Sequence, residues 1–450
     1  VNPPLLLSIN INFIEALLPM GILQPTDKNQ KGKTLKIAFV NQPWSVVVPP
    51  VEAADSIAIW TYQVARRLVP DCDVILYAQK CHALKSMEEH QGIQYRRVPA
   101  DIDRPARAFR LLDRWQLLPA ERPFFASKLY YLGYILQVAK DLRKQQCDIV
   151  HIHNFSQFVP IVRLFNPQIK IVLHMHCEWL TQLDPVAIAK RLEQVDLVVG
   201  CSEYITEKIR KKFPQFSDRC QTVFNGVDAE YFANKNEKKH QQDKNSQQLI
   251  FVGRISPEKG LHVLLDAFEK VLYFYPQAQL KILGYESIAA KEFIVRLSDD
   301  PKVTELDPLY SGSYLEHLKG KLSAKMADRI SFLGGVGHSE VLPHYWDADV
   351  LINPSLSEAF GMSLVEGMAT ETSVVGAKVG GMTGIVEDGK TGFLVEPADA
   401  TALANALIRL LSDRELRESM GKAGRERVLE LFSWERVAES LLRQYRNICA

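Results

Sequence analysis

The chain has 450 residues, too many for one ordinary core and enough for two domains of about 200 residues each. Its 54 lysines and arginines against 53 aspartates and glutamates leave a net charge of +1, so no global field points to nucleic acid or another acidic polymer. Seven scattered cysteines, without a C-x-x-C, argue against a disulfide framework and a zinc site and make a reducing cytoplasm the expected compartment.

Residues 3–25 carry Glu15 as their one charge over a length close to that of a membrane span. Four prolines, two asparagines and the lack of a basic leader region weigh against spanning, and residues 1–34 read as an N-terminal extension. After the polar joint at 27–33, LKIAFVN (35–41) is a short apolar run suited to a buried parallel strand, and an amphipathic helix is expected at 57–68. The alternation continues with strands expected at 74–78, 148–153, 170–176 and 197–201, and helices at 128–145 and up to 213. Such an order builds a parallel, doubly wound sheet over 35–233.

Residues 234–248, NKNEKKHQQDKNSQQ, hold no large apolar side chain and read as a solvated linker. A second series follows over 249–432. Its strands are expected at 249–252, 279–283, 329–333, 350–353, 373–377 and 392–395, with helices at 260–275 and 363–369. The predicted fold is therefore α/β, two Rossmann-like halves facing a cleft. Residues 433–450 close the chain with a helical stripe of Val437, Leu441, Leu442 and Tyr445 that needs a surface to cover, and the N-terminal domain is the expected one.

In open parallel sheets ligands gather beyond the carboxyl ends of the strands, where helix N-termini offer free N–H groups. GRISPEKGL (253–261) sets Gly253, Arg254 and Lys259 at such a junction, and two cations beside backbone donors suit a diphosphate; an ordinary basic loop is the plain alternative. EAFGMSLVE (358–366) occupies a second junction. Gly361 permits close backbone approach, Met362 and Ser363 with Leu364 behind them open the helix, and Glu366 lies one turn inside it while Glu358 precedes the turn. That spacing suits a phosphate on the N–H groups and one carboxylate toward each end of an extended ligand, since a carboxylate accepts from vicinal hydroxyls.

Two strands of the first half end in histidines, HIHN (151–154) and LHMHCEW (173–179). Alternation sets His174 and His176 on one face, with His176 alone expected to clear the sheet edge, and His153 and Asn154 are weaker acceptor-side candidates. His-x-His can ligate a metal, but no third ligand stands at a recognisable spacing, and none is expected. Between Arg96 and Lys128 eight basic side chains face four acidic ones, and Arg107, Arg110 and Arg114 share one helical face beside Leu111, Leu112 and Trp115. A solvated basic helix is the plain reading; docking on anionic lipid at the inner membrane face is the sharper one.

These motifs, with NGVD (225–228), GGMTGIVEDGKTGFLV (380–395) and FSWERV (432–437), resemble in order and spacing the family 4 retaining glycosyltransferases of GT-B fold, the group 1 glycosyl transferases. The resemblance covers roughly residues 35–446. It implies that Glu366 holds the nucleotide ribose and that Arg254 and Lys259 hold the diphosphate. Glu358 and the Gly361 turn take the donor sugar and phosphate, and His176 reaches the sugar from the opposite domain. It further implies a nucleotide-sugar donor, a hydroxyl acceptor of unknown kind, and electrostatic catalysis with no cofactor or metal. The chain departs from the family pattern in three places. Thr383 and Gly384 stand where the family has Pro-Glu, and Ala53 and Ala54 stand near its first glycine loop. The third is a long segment between Gly284 and Gly334, which reads as an inserted surface loop. The expected function is glycosyl transfer with retention. The alternatives are a GT-B-like epimerase or phosphorylase, and a nucleotide-sugar-binding protein that has lost catalysis.

Overall fold

The computed structural model describes residues 34–49, 55–103, 113, 115, 117–233, 247–289 and 291–450. The expectations for the N-terminal extension, for Ala53 and Ala54, for residues 234–246 of the linker and for Arg107, Arg110 and Arg114 lie outside these residues.

The first sheet is built from β1 (Leu35–Val40), β2 (Cys72–Gln79), β3 (Met87–His90), β4 (Ile93–Val98), β5 (Ile149–His153), β6 (Lys170–Met175), β7 (Leu197–Gly200) and β8 (Cys220–Thr222). Its strand order is β3-β4-β2-β1-β5-β6-β7-β8, parallel throughout save for the β3–β4 pair. The second holds β9 (Gln248–Val252), β10 (Gln279–Leu283), β11 (Ile330–Gly334), β12 (Val350–Asn353), β13 (Ser373–Ala377) and β14 (Phe393–Val395) in the order β11-β10-β9-β12-β13-β14. Central runs such as IVHIH and SVVGA are buried along their whole length because helices cover both faces, the condition under which a parallel strand loses its polar side. Two α/β domains of GT-B architecture result. Strand reversal in each sheet, between β1 and β5 and between β9 and β12, opens the crevices in which such folds bind ligands.

Three strands, β3, β4 and β8, have no counterpart among the sequence expectations. The strand β4 reads IQYRRV, and its two arginines conceal the pattern. Arg97 is 3% exposed yet donates to Glu88 Oε2 at 2.7 Å and to Val47 O at 3.2 Å, while Arg96 pairs with both oxygens of Asp141. Each charge on the strand is met sideways, so neither interrupts the sheet.

The helix Trp434–Cys449 follows the second domain in sequence and completes the core of the first. Val437, Leu441 and Tyr445 are buried among Ile37, Phe39, Trp60 and Val64, and the Tyr445 hydroxyl lies 2.7 Å from His151 Nδ1. The chain crosses over beside the earlier crossing: Val227 N donates to Phe432 O at 2.8 Å and Trp434 N to Val227 O at 3.3 Å. Among the described residues no helix is long and apolar enough to cross a membrane.

The segment between Gly284 and Gly334 departs from the expected surface loop. It forms short helices at Pro301–Thr304, Tyr314–Gly320 and Ala324–Ala327 and reaches the first domain. The Phe293 ring packs 4.7 Å from Phe125 and 5.7 Å from Trp179, centroid to centroid, and Arg296 donates to Asp113 O at 2.9 Å. The sequence hid these contacts, because Phe293, Val295 and Leu297 alternate as strand residues would while the segment forms only 3-10 and simple turns there, and the partners of Phe293 lie in the other domain.

Candidate active site

A cleft of about 900 Å³ lies between the two domains. Arg254, Lys259 and Glu358 line it from the second domain, and Cys177, Glu178 and Lys208 from the first.

Arg254 follows β9 and is turned by two contacts, Nη1 to Ser287 O and Nη2 to Glu258 Oε1, both 2.9 Å. Glu258 is 1% exposed and is held in turn by Ser256 Oγ at 2.7 Å and Tyr310 OH at 2.9 Å, so a buried carboxylate with full hydrogen bonding fixes the guanidinium. Tyr310 comes from the long segment after β10. Gly253 follows β9 directly, with its N–H on Leu283 O.

Lys259 Nζ donates to Glu358 Oε2 at 2.6 Å. The Glu358 loop is set from both sides. Ser202 Oγ, at the end of β7, donates to Ala359 O at 2.7 Å, and Gly381 N donates to Glu358 O at 3.1 Å. Gly380 has φ +53°, and a Cβ there would stand 1.7 Å from Glu358 O, so the glycine pair is what lets the two loops nest. The departure from the family pattern follows directly: Thr383 Oγ1 donates back to Gly380 O at 2.9 Å within the turn Met382–Ile385.

Gly361 (φ +118°) caps the helix Met362–Ala369. Ser363 is buried and its Oγ accepts from Asn353 Nδ2 at 3.3 Å, while Met362 packs against the core. Leu364 departs from the donor-side expectation: it is fully buried core, with its N–H on Gly361 O. Glu366, half-buried, accepts from Tyr345 OH at 2.6 Å; burial pushes its carboxyl up to about 7, and the Tyr345 hydroxyl works against that rise. Glu358 lines the cleft, and Glu366 lies one turn into the helix Met362–Ala369 with part of its side chain open to solvent.

The register His153↔His174 stacks the histidines of β5 and β6 around Trp60. His153 and Asn154 are corrected as acceptor candidates. His153 is fully buried between Thr61 Oγ1 and His176 Nε2, both 3.0 Å away, and Asn154, in a left-handed turn, accepts the His176 N–H on Oδ1. His176 is half-buried beside the cleft-lining Cys177, and its ring pairs with His153; burial lowers its pKa to about 3, so it is neutral. His151, His153 and His174 offer nitrogens within 4.8 Å of one another and could hold a metal ion, the third ligand that the sequence did not reveal. Five of their six nitrogens already have hydrogen-bond partners, leaving His174 Nε2 as the exception.

Sequence reasoning missed Glu258, Tyr310, Tyr345, Glu178, Tyr204 and Lys208. Glu258 stands inside the quoted PEKG, and a carboxylate between two cations was a usable signal. The others come from elements distant in sequence and carried none.

The model for glycosyl transferases group 1 matches residues 232–427, and that for glycosyltransferase family 4 matches residues 57–231. The chain belongs to the family 4 glycosyltransferases. It is similar to the lipopolysaccharide 1,2-N-acetylglucosaminetransferase of Salmonella typhimurium, 28% identical over 431 residues, which cover 92% of this chain and 98% of that one. Among solved structures it is similar to a sucrose-phosphate synthase from Thermosynechococcus elongatus, with a TM-score of 0.67 and 21% identity, covering 92% of this chain and 99% of that one. It is also similar to Anabaena HepE in complex with UDP and glucose, with a TM-score of 0.65 and 17% identity over 92% of this chain and 100% of the other. As a family 4 glycosyltransferase it is a transferase of the GT-B fold.

Proposed function

We propose that this enzyme transfers a glycosyl group from a nucleotide-sugar to an acceptor hydroxyl with retention of anomeric configuration. The observation that carries the reading is the Lys259–Glu358 contact beside Arg254 in one interdomain cleft. Two cations suit a diphosphate leaving group that gains negative charge, and the neighbouring carboxylate suits an oxocarbenium-like sugar that gains positive charge. The solved neighbour that holds UDP and glucose supports a nucleotide-sugar as the donor.

In the step itself the bond from the anomeric carbon to the β-phosphate oxygen breaks and a bond to the acceptor oxygen forms on the same face. The acceptor hydroxyl proton passes to the departing phosphate oxygen. Arg254 and Lys259 stabilise the diphosphate, Glu358 faces the sugar, and Glu366 takes the ribose hydroxyls. Donor binding moves Lys259 from Glu358 to phosphate, which frees the carboxylate for the sugar.

The test is turnover of UDP-sugars with a panel of hydroxyl acceptors, the product's anomeric configuration being read by NMR. Retained configuration and release of UDP support the reading. A requirement for inorganic phosphate with release of a sugar phosphate would favour the phosphorylase, and UDP binding without donor consumption the catalytically silent binder.

A further inference from the structure

The donor reading leaves one wall of the cleft unexplained. The first domain contributes Gln42, Trp44, Glu178, Trp179, Tyr204 and Lys208 to the lining, none of which the donor requires. Trp44 is 40% exposed although its ring is braced against Phe155 at 5.5 Å and Tyr131 at 6.0 Å. A fixed indole with an open surface inside a ligand cleft is an apolar platform in a polar setting.

Beside it stands a closed charge cluster. Tyr204 OH donates to Glu178 Oε1 at 2.9 Å, Lys208 Nζ donates to Glu178 Oε2, and Lys208 lies over the Tyr204 ring. Among the described residues Lys208 is the one cation that lines the cleft from this wall, and Glu178 already neutralises it. Asp299, from the segment after β10, adds an exposed carboxylate to the same cleft. Lys302 from that segment and Lys378 also line the cleft, but Lys302 Nζ donates to Pro397 O at 3.1 Å and Lys378 lies 4.0 Å from Glu396. On the first domain's wall an anionic acceptor would therefore meet no free cation and would face Glu178.

We infer that the acceptor group seated on this wall is an uncharged sugar ring, stacked on Trp44, with its hydroxyls hydrogen-bonded to Glu178 and Gln42. A pyranose presents an apolar C–H face that covers an indole, and vicinal hydroxyls that donate to a carboxylate and exchange hydrogen bonds with an amide. The inference rests on the transferase reading and names the acceptor class for that same cleft; phosphate-bearing and carboxylate-bearing acceptors are the ones it excludes.

The test uses the full chain saturated with UDP and saturation-transfer NMR. The neutral probes are methyl glucopyranoside, methyl galactopyranoside and methyl N-acetylglucosaminide; the anionic ones are myo-inositol 1-phosphate and malate. At least one neutral pyranoside should receive saturation and the anions should not. Trp44→Ala and Glu178→Gln should each weaken that pyranoside at least tenfold, with Trp44→Phe recovering part of the loss. UDP affinity, measured separately by calorimetry, should stay unchanged in all three and so report an intact fold. Binding of the anions alone, of none of the five probes, or of pyranosides with equal affinity in Trp44→Ala overturns the inference. A wild-type protein that fails to bind UDP counts against the donor reading instead, and pyranoside binding is still read directly in that protein.

Discussion

Nζ of Lys259 lies 2.6 Å from Oε2 of Glu358, joining the two strand-to-helix junctions of the second sheet across 99 residues. Both side chains are partly shielded, 18% and 16% exposed, so each holds the other's charge in place until a ligand competes. Lys259→Ala should weaken UDP by about 1.5–3 kcal/mol, roughly 10- to 150-fold, the range for a charge-assisted hydrogen bond. Glu358→Gln should do the opposite in part: UDP affinity equal to or above wild type, because Lys259 is released to phosphate, with kcat reduced at least tenfold. Calorimetry with UDP and steady-state rates separate the two; equal loss of affinity in both variants would contradict the exchange of partners.

The carboxyl of Glu366, at about 7, sits far above the value of an unfolded chain near 4.5, because it is buried. The folded state therefore binds the extra proton between those two values, and stability attributable to Glu366 is full below about 4.5 and declines as pH rises toward 7. Ligand binding should show the reverse slope, since ribose hydroxyls donate best to the ionised form. We expect UDP affinity to improve from pH 6 to pH 8. The slope should vanish in Glu366→Gln and shift to higher pH in Tyr345→Phe, where the opposing hydroxyl is gone. Titrations at constant ionic strength check this, and a pH-independent wild type would count against it.

How much of this was legible beforehand depends on where each partner sits in the chain. Buried parallel strands announce themselves as continuous apolar runs, and Arg254, Lys259 and Glu358 stand at junctions where two such runs meet a helix, so the fold class and the second domain's side of the cleft could be read locally. Burial of the histidines could not. His153 and His176 become partners only through the parallel pairing of β5 and β6, and His176 turns inward to that partner instead of clearing the sheet edge. The same limit applies to Glu178 and Lys208, 30 residues apart on different elements, and to Phe293, whose partners lie in the other domain. The C-terminal helix lies between these cases: its stripe of Val437, Leu441 and Tyr445 called for a surface, the first domain was the expected one, and the packing names Ile37, Phe39 and Trp60 as the residues covered.

The buried histidines make stability acid-sensitive. His151, His153 and His174 are held well below their usual pKa by burial, and His176 is lowered to about 3. Neutral in the folded state, they protonate near 6.5 once unfolded, so their contribution is complete above about 6.5 and is lost progressively as pH falls below it. Each site can add a slope of roughly 1.4 kcal/mol per pH unit. Thermal melts from pH 7.5 to pH 5 should fall steeply below pH 6.5, and less steeply in a His174→Gln variant. A flat profile across that range would show that the four rings are not buried neutral in solution.

The C-terminal helix should be indispensable to the first domain although it follows the second. Leu441 is fully buried in that core, and Leu441→Ala should cost about 2–5 kcal/mol. Gly226→Ala tests the crossover itself, because a Cβ there would lie 2.5 Å from Trp434 Cε3 and displace the first turn of the helix. Both variants should lower the denaturation midpoint and raise the protease sensitivity of residues 434–449. Unchanged midpoints would mean that the helix docks without supporting the domain.

The segment after β10 links the two walls of the cleft at once. Tyr310 bonds Glu258, which orients Arg254, while Phe293 packs on Phe125 and Trp179 and Arg296 bonds Asp113 O. The same segment therefore touches both the first domain's wall and the residues that orient Arg254. Phe293→Ala should loosen the contact between the domains, seen as a larger radius of gyration in solution scattering of the ligand-free protein. Global stability should fall only about 1–2 kcal/mol, as for a half-buried side chain. Tyr310→Phe should leave the scattering unchanged and weaken UDP modestly, because Glu258 loses one of its donors and Arg254 its fixed partner. Scattering and UDP affinity both equal to wild type in the two variants would reduce the segment to a passive cover, with domain contact maintained by others such as Ser202 on Ala359, Phe224 on Phe360 and the C-terminal helix.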